Sequence, residues 1–152
     1  MIKIICSGKI KENYLKDAIA EYSKRISKYD KLEIIELPDY DYDYDLKKTL
    51  QKEKENILKN INLKDYNILL DLNGKSYTSL ELADKLDKVR ITNSNITFII
   101  GGSYGVDEEI KKIVNERISF SKLTFPHQLF RVILLEQIYR FFKIINHEEY
   151  HK

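Results

Sequence analysis

Residues 123–152, LTFPHQLFRVILLEQIYRFFKIINHEEYHK, contain a long apolar segment between Pro126-His127 and the polar end Glu149-Tyr150-His151-Lys152. Proline is favoured in the first turn of a helix, where its missing N–H costs least, so the segment predicts a helix over residues 126–145. This helix is apolar on most of its circumference and must be buried on most of it. Either a central core position or a subunit interface satisfies that requirement.

Working back from this helix, the chain alternates between strand and helix patterns. Helical segments of this length between strands imply right-handed crossovers and a mostly parallel sheet with helices on both faces. The sequence therefore predicts an α/β fold in a single domain over residues 1–152. The predicted strands are 2–7, 32–37, 66–72 and 96–100, with a short extended piece at 118–124, and the predicted helices are 12–29, 45–61, 78–90, 107–117 and 126–145.

Composition favours a soluble globular protein, since 33% of residues are charged and 43% hydrophobic. The only cysteine, Cys6, lies in an apolar run and is interpreted as a buried, inert thiol in a reducing compartment. No stretch reaches the roughly 18 apolar residues of a membrane span. The N-terminus is too short and too charged for a signal peptide. We therefore expect a cytoplasmic protein without a membrane partner.

Charge is distributed unevenly although the net charge is only +2. Residues 1–31 hold eight Lys and Arg against four Asp and Glu, and residues 117–152 hold six against three. Two basic ends can form one face that attracts phosphate, or they can belong to an ordinary solvated surface. The alternating Asp and Tyr residues of 39–45 repel one another, so we expect an exposed loop there, with recruitment of a partner as the alternative.

Three segments follow predicted strands and can bind a ligand at the carboxyl edge of the sheet. They are residues 70–75 (LDLNGK), 99–105 (IIGGSYG) and 120–127 (FSKLTFPH). The second matches neither common phosphate-binding glycine pattern, and the third suits an uncharged heterocycle better than a pyrophosphate. Asp71 can be an acid, a base or a turn-stabilising carboxylate. His147 and His151 lack a third ligand, so we expect no metal site.

The segments I-G-G-S-x-G, L-T-F-P-H-Q-L-x-R-V and E-Q-I-Y-R, together with the start M-I-K-I and the end Y-H-K, resemble the RlmH family of the SPOUT superfamily of methyltransferases. The likeness covers the whole chain. It implies a C-terminal deep trefoil knot, S-adenosylmethionine bound in that knot, and a homodimer with no metal. It also implies methylation of N3 of a pseudouridine in 23S ribosomal RNA, on the assembled ribosome.

The resemblance carries roles onto individual positions. The cofactor contacts fall on Leu70, Gly102, Ser121, Lys122, Leu123, Thr124, Phe125 and Pro126. The catalytic candidates are His127, Tyr150, His151 and Lys152, and the candidate RNA contacts are Arg131, Arg140, Lys143 and the basic residues of the N-terminus.

Two further expectations concern single positions in this assignment. Gly102 is expected to face the cofactor, so that Gly102→Val fills its space. Glu149 departs from the small residue or proline of many relatives and leaves the path of the tail open. The alternatives are a non-catalytic ribosome-binding or assembly factor that keeps the knot, and a methyltransferase acting on another RNA or on a small substrate.

Overall fold

The computed structural model describes residues 1–40 and 45–152 and contains one five-stranded parallel sheet. Its strand order is β2-β1-β4-β3-β5, so the first strand lies near the centre and the last at an edge. The predicted mostly parallel α/β fold is confirmed. The strands are β1 Ile2–Ser7, β2 Leu32–Leu37, β3 Tyr66–Ser76, β4 Ile96–Ile100 and β5 Glu116–Ser119.

Five helices connect or follow these strands: α1 Asn13–Ile26, α2 Leu46–Asn60, α3 Ser79–Thr92, α4 Glu108–Ile113 and α5 His127–Ile145. Three of them begin at a side chain that accepts a hydrogen bond from a free backbone N–H of the first turn. Thr78 Oγ1 accepts from the Glu81 N–H at 3.1 Å, Asp45 Oδ1 from Lys48 at 3.1 Å, and Asp107 Oδ1 from Glu109 at 2.9 Å. Residues 41–44 of the predicted acidic loop lie outside the described residues.

Helices cover both faces of the sheet because successive strand residues point to opposite sides. Ile4 and Cys6 of β1 pack with α1, α3 and α5 in the larger core, whereas Ile5 packs with α2 and α4 on the other face. Burial raises the pKa of the Cys6 thiol to about 11, as expected for an unreactive cysteine.

Two predicted boundaries near the sheet edge are wrong. The helix predicted over 107–117 ends at Ile113, and Arg117 belongs to β5. The strand predicted over 66–72 is too short, because β3 continues to Ser76 beside β5. Pairing of β3 with β5 shifts register between Leu70 and Lys75, which accommodates the extra residues in the longer strand.

The last helix is chiefly a core helix. Leu134, Leu135, Ile138, Phe141 and Phe142 are all at most 3% exposed, and α5 packs against both α1 and α3. Its outward side begins with Leu129, which is 41% exposed. Within the described ranges, no helix is long and apolar enough to cross a membrane.

Candidate active site

A cleft of about 720 Å³ opens beyond the carboxyl ends of β3, β4 and β5. Its volume lies in the range of small-molecule sites. All three segments singled out in the sequence reach it, because parallel strands end at the same edge. The lining residues are Leu69–Asn73, Ile100–Ser103, Gly105, Val106, Lys111, Ile118–Ser121, Leu123–His127 and Phe130.

The structure brings together nearly all the positions expected to contact a cofactor. Leu70, Gly102, Ser121 and residues 123–126 line the cleft. Lys122 does not line it and is exposed to solvent. Phe120 lies in the predicted segment 120–127 but was not among the expected cofactor contacts; its ring lies 5.2 Å from that of Phe130, on the same wall of the cleft. Its position directly after β5 was the signal available.

Local hydrogen bonds shape the segment between β5 and α5. Ser119 Oγ donates to the Ser121 carbonyl at 3.0 Å, and the Leu123 N–H donates to Ser121 Oγ at 2.9 Å. Phe125 stacks on Phe130 with ring centroids 6.1 Å apart. The segment therefore presents one apolar aromatic wall together with a run of backbone groups.

His127 begins α5 and lines the cleft. Its Nε2 is buried and has no hydrogen-bond partner among the described residues. A buried ring nitrogen that lacks a protein partner needs an explanation. Asp71 is engaged instead, since Oδ1 accepts from the Asn73 N–H at 3.1 Å and Oδ2 pairs with Arg117 at 3.3 Å. These contacts favour the turn-stabilising role for Asp71.

Gly102 does not leave space for a ligand in the way the sequence suggested. A Cβ at this position would lie 2.5 Å from Glu53 Oε1 and 3.0 Å from Glu53 Oε2. Glu53 is not part of the cleft lining, so a side chain at 102 would meet Glu53 and not a ligand in the cleft. The structure therefore contradicts the expectation that the side chain of Gly102→Val enters the cofactor space.

The C-terminal residues follow α5 and turn back to contact the middle of that helix at Glu136. Glu136 lies nine residues after His127, which is about 13.5 Å along the axis at 1.5 Å per residue. His147 has a positive φ of 55°, and the chain turns back so that the Tyr150 ring packs on Tyr139 at 4.9 Å. Tyr150, His151 and Lys152 are absent from the cleft of their own chain. The structure thus does not join the tail to His127 within one chain.

A carboxylate and a guanidinium hold the tail in place. Tyr150 donates its hydroxyl to Glu136 Oε1 at 3.1 Å, and Arg140 lies 4.8 Å from the centre of the Tyr150 ring. Burial and the nearby Glu136 raise the pKa of Tyr150 to about 12, so this phenol stays protonated at neutral pH. Arg140 Nη1 lies 3.1 Å from His151 Nδ1.

Arg131 is not available to contact RNA, which corrects the sequence-based assignment. It is 1% exposed, pairs with Glu36 at 2.8 Å, and donates to the carbonyls of Ser7 and Gly8 at 3.3 and 3.0 Å. The buried guanidinium ties α5 to the ends of β1 and β2 through its two Nη groups.

Arg140 and Lys143 are largely engaged within the chain as well. Arg140 Nε donates to Glu136 at 3.0 Å, and Lys143 Nζ donates to Glu148 at 2.9 Å. Their contact with RNA stays a prediction. Across residues 1–40 and 45–152, no group of three or more His, Cys, Asp or Glu side chains is arranged to hold a metal ion.

Comparison with known proteins gives consistent results. Residues 1–151 match the family model described as "Predicted SPOUT methyltransferase". The chain is 54% identical to the ribosomal RNA large subunit methyltransferase H of Clostridium botulinum strain 657 over 157 aligned positions, covering 99% of each chain. It is 49% identical to the protein of that name from Ruminiclostridium cellulolyticum, again over 99% of each.

Among solved structures, the fold resembles the tRNA (m1G37) methyltransferase from Aquifex aeolicus, with a TM-score of 0.50 and 17% identity. The match covers 91% of this chain and 69% of that one. At this identity the likeness concerns the fold alone.

Proposed function

This chain belongs to the SPOUT methyltransferase family, and from that premise we propose that it methylates the large-subunit ribosomal RNA with S-adenosylmethionine as donor. The observation that carries the proposal is the cleft, which gathers seven of the eight positions assigned to the cofactor. Full-length relatives named for large-subunit ribosomal RNA methylation support the substrate class. The target atom we propose is N3 of a pseudouridine on the assembled ribosome.

The residues of the cleft fit S-adenosylmethionine. The aromatic wall of Phe120, Phe125 and Phe130 provides apolar contact for an adenine ring, and the backbone groups of residues 121–126 provide donors and acceptors for its edge. Leu70 and Gly102 would close the opposite side. The bound cofactor supplies a methyl group on a sulfonium, which is transferred by in-line displacement and needs positioning more than covalent help.

N3 of the base carries a proton that has to leave during methylation. His127 lines the cleft with an unpartnered Nε2, and a positioned imidazole can accept a proton near neutral pH. Tyr150, His151 and Lys152 offer an aromatic face, an imidazole and a cation for a base and its phosphate. We include these four residues in the proposed catalytic group.

A homodimer is part of the proposal. The tail is held by Glu136 and Arg140, near the middle of α5, whereas the cleft lies at the start of that helix. One chain therefore does not bring both sets of groups to one substrate. A second copy that presents its tail to the cleft would complete the site, as expected for a closed two-fold assembly.

The knot and the mode of RNA binding complete the proposal. Strand β5 runs against β3 so closely that a Cβ on Gly74 would lie 2.7 Å from the backbone of Arg117 and Ile118, and α5 then packs beneath the sheet. This packing is compatible with the deep trefoil knot of the family, a rare exception among folds.

Phosphate contacts from exposed lysines and the shape of the ribosomal surface would provide affinity for the RNA. A ribosomal substrate implies a cytoplasmic protein.

The test is methyl transfer from labelled S-adenosylmethionine to ribosomes that lack the modification, followed by mapping of the labelled nucleotide. We expect label at N3 of one pseudouridine of 23S RNA, and little label with ribosomes that already carry the methyl group. Cofactor binding without transfer would indicate a non-catalytic assembly factor. Label on free RNA or on another RNA would show that the assembled ribosome is not the substrate.

A further inference from the structure

Glu53 is a buried carboxyl directly behind the glycine turn of the cleft. It lies on α2 and is only 4% exposed, and its Oε1 has no hydrogen-bond partner among the described residues. The distances of 2.5 and 3.0 Å from an added Gly102 Cβ to the two oxygens show how closely the carboxyl lies under that turn. A buried carboxyl with one unpartnered oxygen needs an explanation.

The charges around Glu53 leave it without a cation. Asp39, after β2, is a like charge that acts on it. Lys54 of the same helix pairs with Glu109 of α4 at 2.9 Å, and Arg131 of α5 pairs with Glu36 at 2.8 Å. Lys111, which lines the cleft, pairs with Glu108 at 2.9 Å. Among the described residues, Asp39 is the one charged group with a resolved effect on the pKa of Glu53, and no cation has one.

We propose that Glu53 sets the charge preference of the cleft, because its buried carboxylate behind Gly102 favours a cationic cofactor over the neutral product. The inference rests on the proposed function. S-adenosylmethionine carries a sulfonium charge that S-adenosylhomocysteine lacks, while the two molecules share the adenosine and amino-acid groups. Transfer of the methyl group breaks the S–CH₃ bond, returns its electron pair to sulfur and so removes this charge. A fixed negative charge in a region of low dielectric discriminates between the two at a distance.

The protonation of Glu53 makes this preference dependent on pH. Burial, and secondarily Asp39, raise the pKa of Glu53 to about 7, while the Gly102 N–H opposes the rise. A bound cation favours the ionised carboxylate, and by reciprocity the ionised carboxylate favours the cation. The affinity for S-adenosylmethionine attributable to Glu53 should therefore be much smaller near pH 6 than near pH 8.

Glu53→Gln tests the proposal, because it removes the charge and keeps the size of the side chain. Glu55→Gln is the matched control, since Glu55 lies two residues further along α2 and its side chain is 42% exposed. Calorimetry would measure the affinity of the dimer for both ligands at pH 6 and pH 8. At pH 8 we expect Glu53→Gln to weaken S-adenosylmethionine about tenfold, within the usual range of coupling between sites. S-adenosylhomocysteine should change less than about twofold on the same coupling argument, since it lacks the sulfonium.

The amino group of each ligand also titrates in this range. Because the wild type and Glu53→Gln are compared at the same pH, that titration affects both proteins equally. Equal weakening of both ligands at pH 8, or the same difference at pH 6 and pH 8, would overturn the charge preference and leave the cofactor assignment intact. Failure of the wild-type protein to bind either ligand would instead overturn the proposed function and this inference together. Thermal melting of each variant verifies that it is folded before affinities are compared.

Discussion

Gly74 of β3 lies close to the backbone of β5. A Cβ there would lie 2.7 Å from the backbone of Arg117 and Ile118, and neither strand can move without losing its pairing. We expect Gly74→Ala to lower the free energy of unfolding by about 1–3 kcal/mol, measured by urea denaturation. In an ordinary strand the same change stabilises by about 0.5–1 kcal/mol, so a more stable variant would contradict the close approach. Asn73→Ala, at the exposed neighbouring position, is the control.

The stability of the protein should depend on pH through Glu53. Its pKa in the folded chain, about 7, lies above the ordinary value of 4.5, so folding favours the neutral form. Stability relative to Glu53→Gln should be unaffected below about pH 4, fall as pH rises from about 4.5 to 7, and stay constant above that. The full difference is on the order of 3 kcal/mol. Denaturant titrations of both proteins between pH 4 and pH 8.5 measure it, and parallel curves would refute the burial effect.

Arg131 and Glu53 show why some residues of the site were misread or missed in the sequence. Arg131 follows the Pro-His pair in an apolar stretch, and a surface role is the usual one for arginine. Its burial depends on Glu36 and on two carbonyls, all distant in sequence. Glu53 lies among charged neighbours. Only its spacing of four from the buried residues Thr49 and Ile57 indicated an inward position.

At the scale of secondary structure, the C-terminal tail is an element separate from the cleft. Deletion of Tyr150, His151 and Lys152 removes contacts to Tyr22 of α1 and to Glu136, Tyr139 and Arg140 of α5, but none in the cleft. We expect S-adenosylmethionine affinity to stay within about threefold by calorimetry, whereas methyl transfer to ribosomes falls at least roughly a hundredfold. Transfer at the wild-type rate would assign no role to the tail.

The long helices and buried strands were predictable from local pattern, whereas the edge of the sheet was not. α1, α3 and α5 each carry an apolar stripe with helical spacing, and β4 is a continuous apolar run. Strand β5 has only four residues, and its pairing partner, β3, lies about fifty residues earlier. The local sequence of β5 gives little indication of a strand, because the strand is defined by its pairing with distant residues. The helix predicted over 107–117 therefore extended into it.

For the whole molecule, parallel topology explains why three separated segments were recognised as one site. The carboxyl ends of β3, β4 and β5 lie together, so motifs that follow predicted strands converge without any knowledge of distances. The direction of the Gly102 Cα–Cβ vector and the location of the tail depend on three-dimensional packing. Neither feature could be predicted from local sequence pattern. Because the tail lies away from the cleft of its own chain, the proposed site is complete only in a dimer.

Two substitutions on α5 distinguish loss of the proposed dimer from unfolding of the chain. Phe142 is 1% exposed and stacks on Tyr29 at 5.3 Å, so Phe142→Asp should unfold the chain. Leu129 is 41% exposed, so Leu129→Asp should leave the chain folded but move its sedimentation mass from about twice 18.1 kDa to 18.1 kDa. A wild-type protein that sediments at 18.1 kDa at micromolar concentration would refute the dimer.

Mixed dimers then decide whose tail completes the cleft. Thr124 is an exposed residue of the lining, and Thr124→Trp should block the cleft while leaving the tail intact. In an equal mixture with the tail-deleted chain, half of the dimers pair the two variants, and each such dimer has one intact cleft facing one intact tail. Subunit exchange should therefore restore about a quarter of the wild-type transfer rate, although neither variant is active alone. If the tail served the cleft of its own chain, no combination of these two chains would contain a complete site, and the mixture would stay inactive.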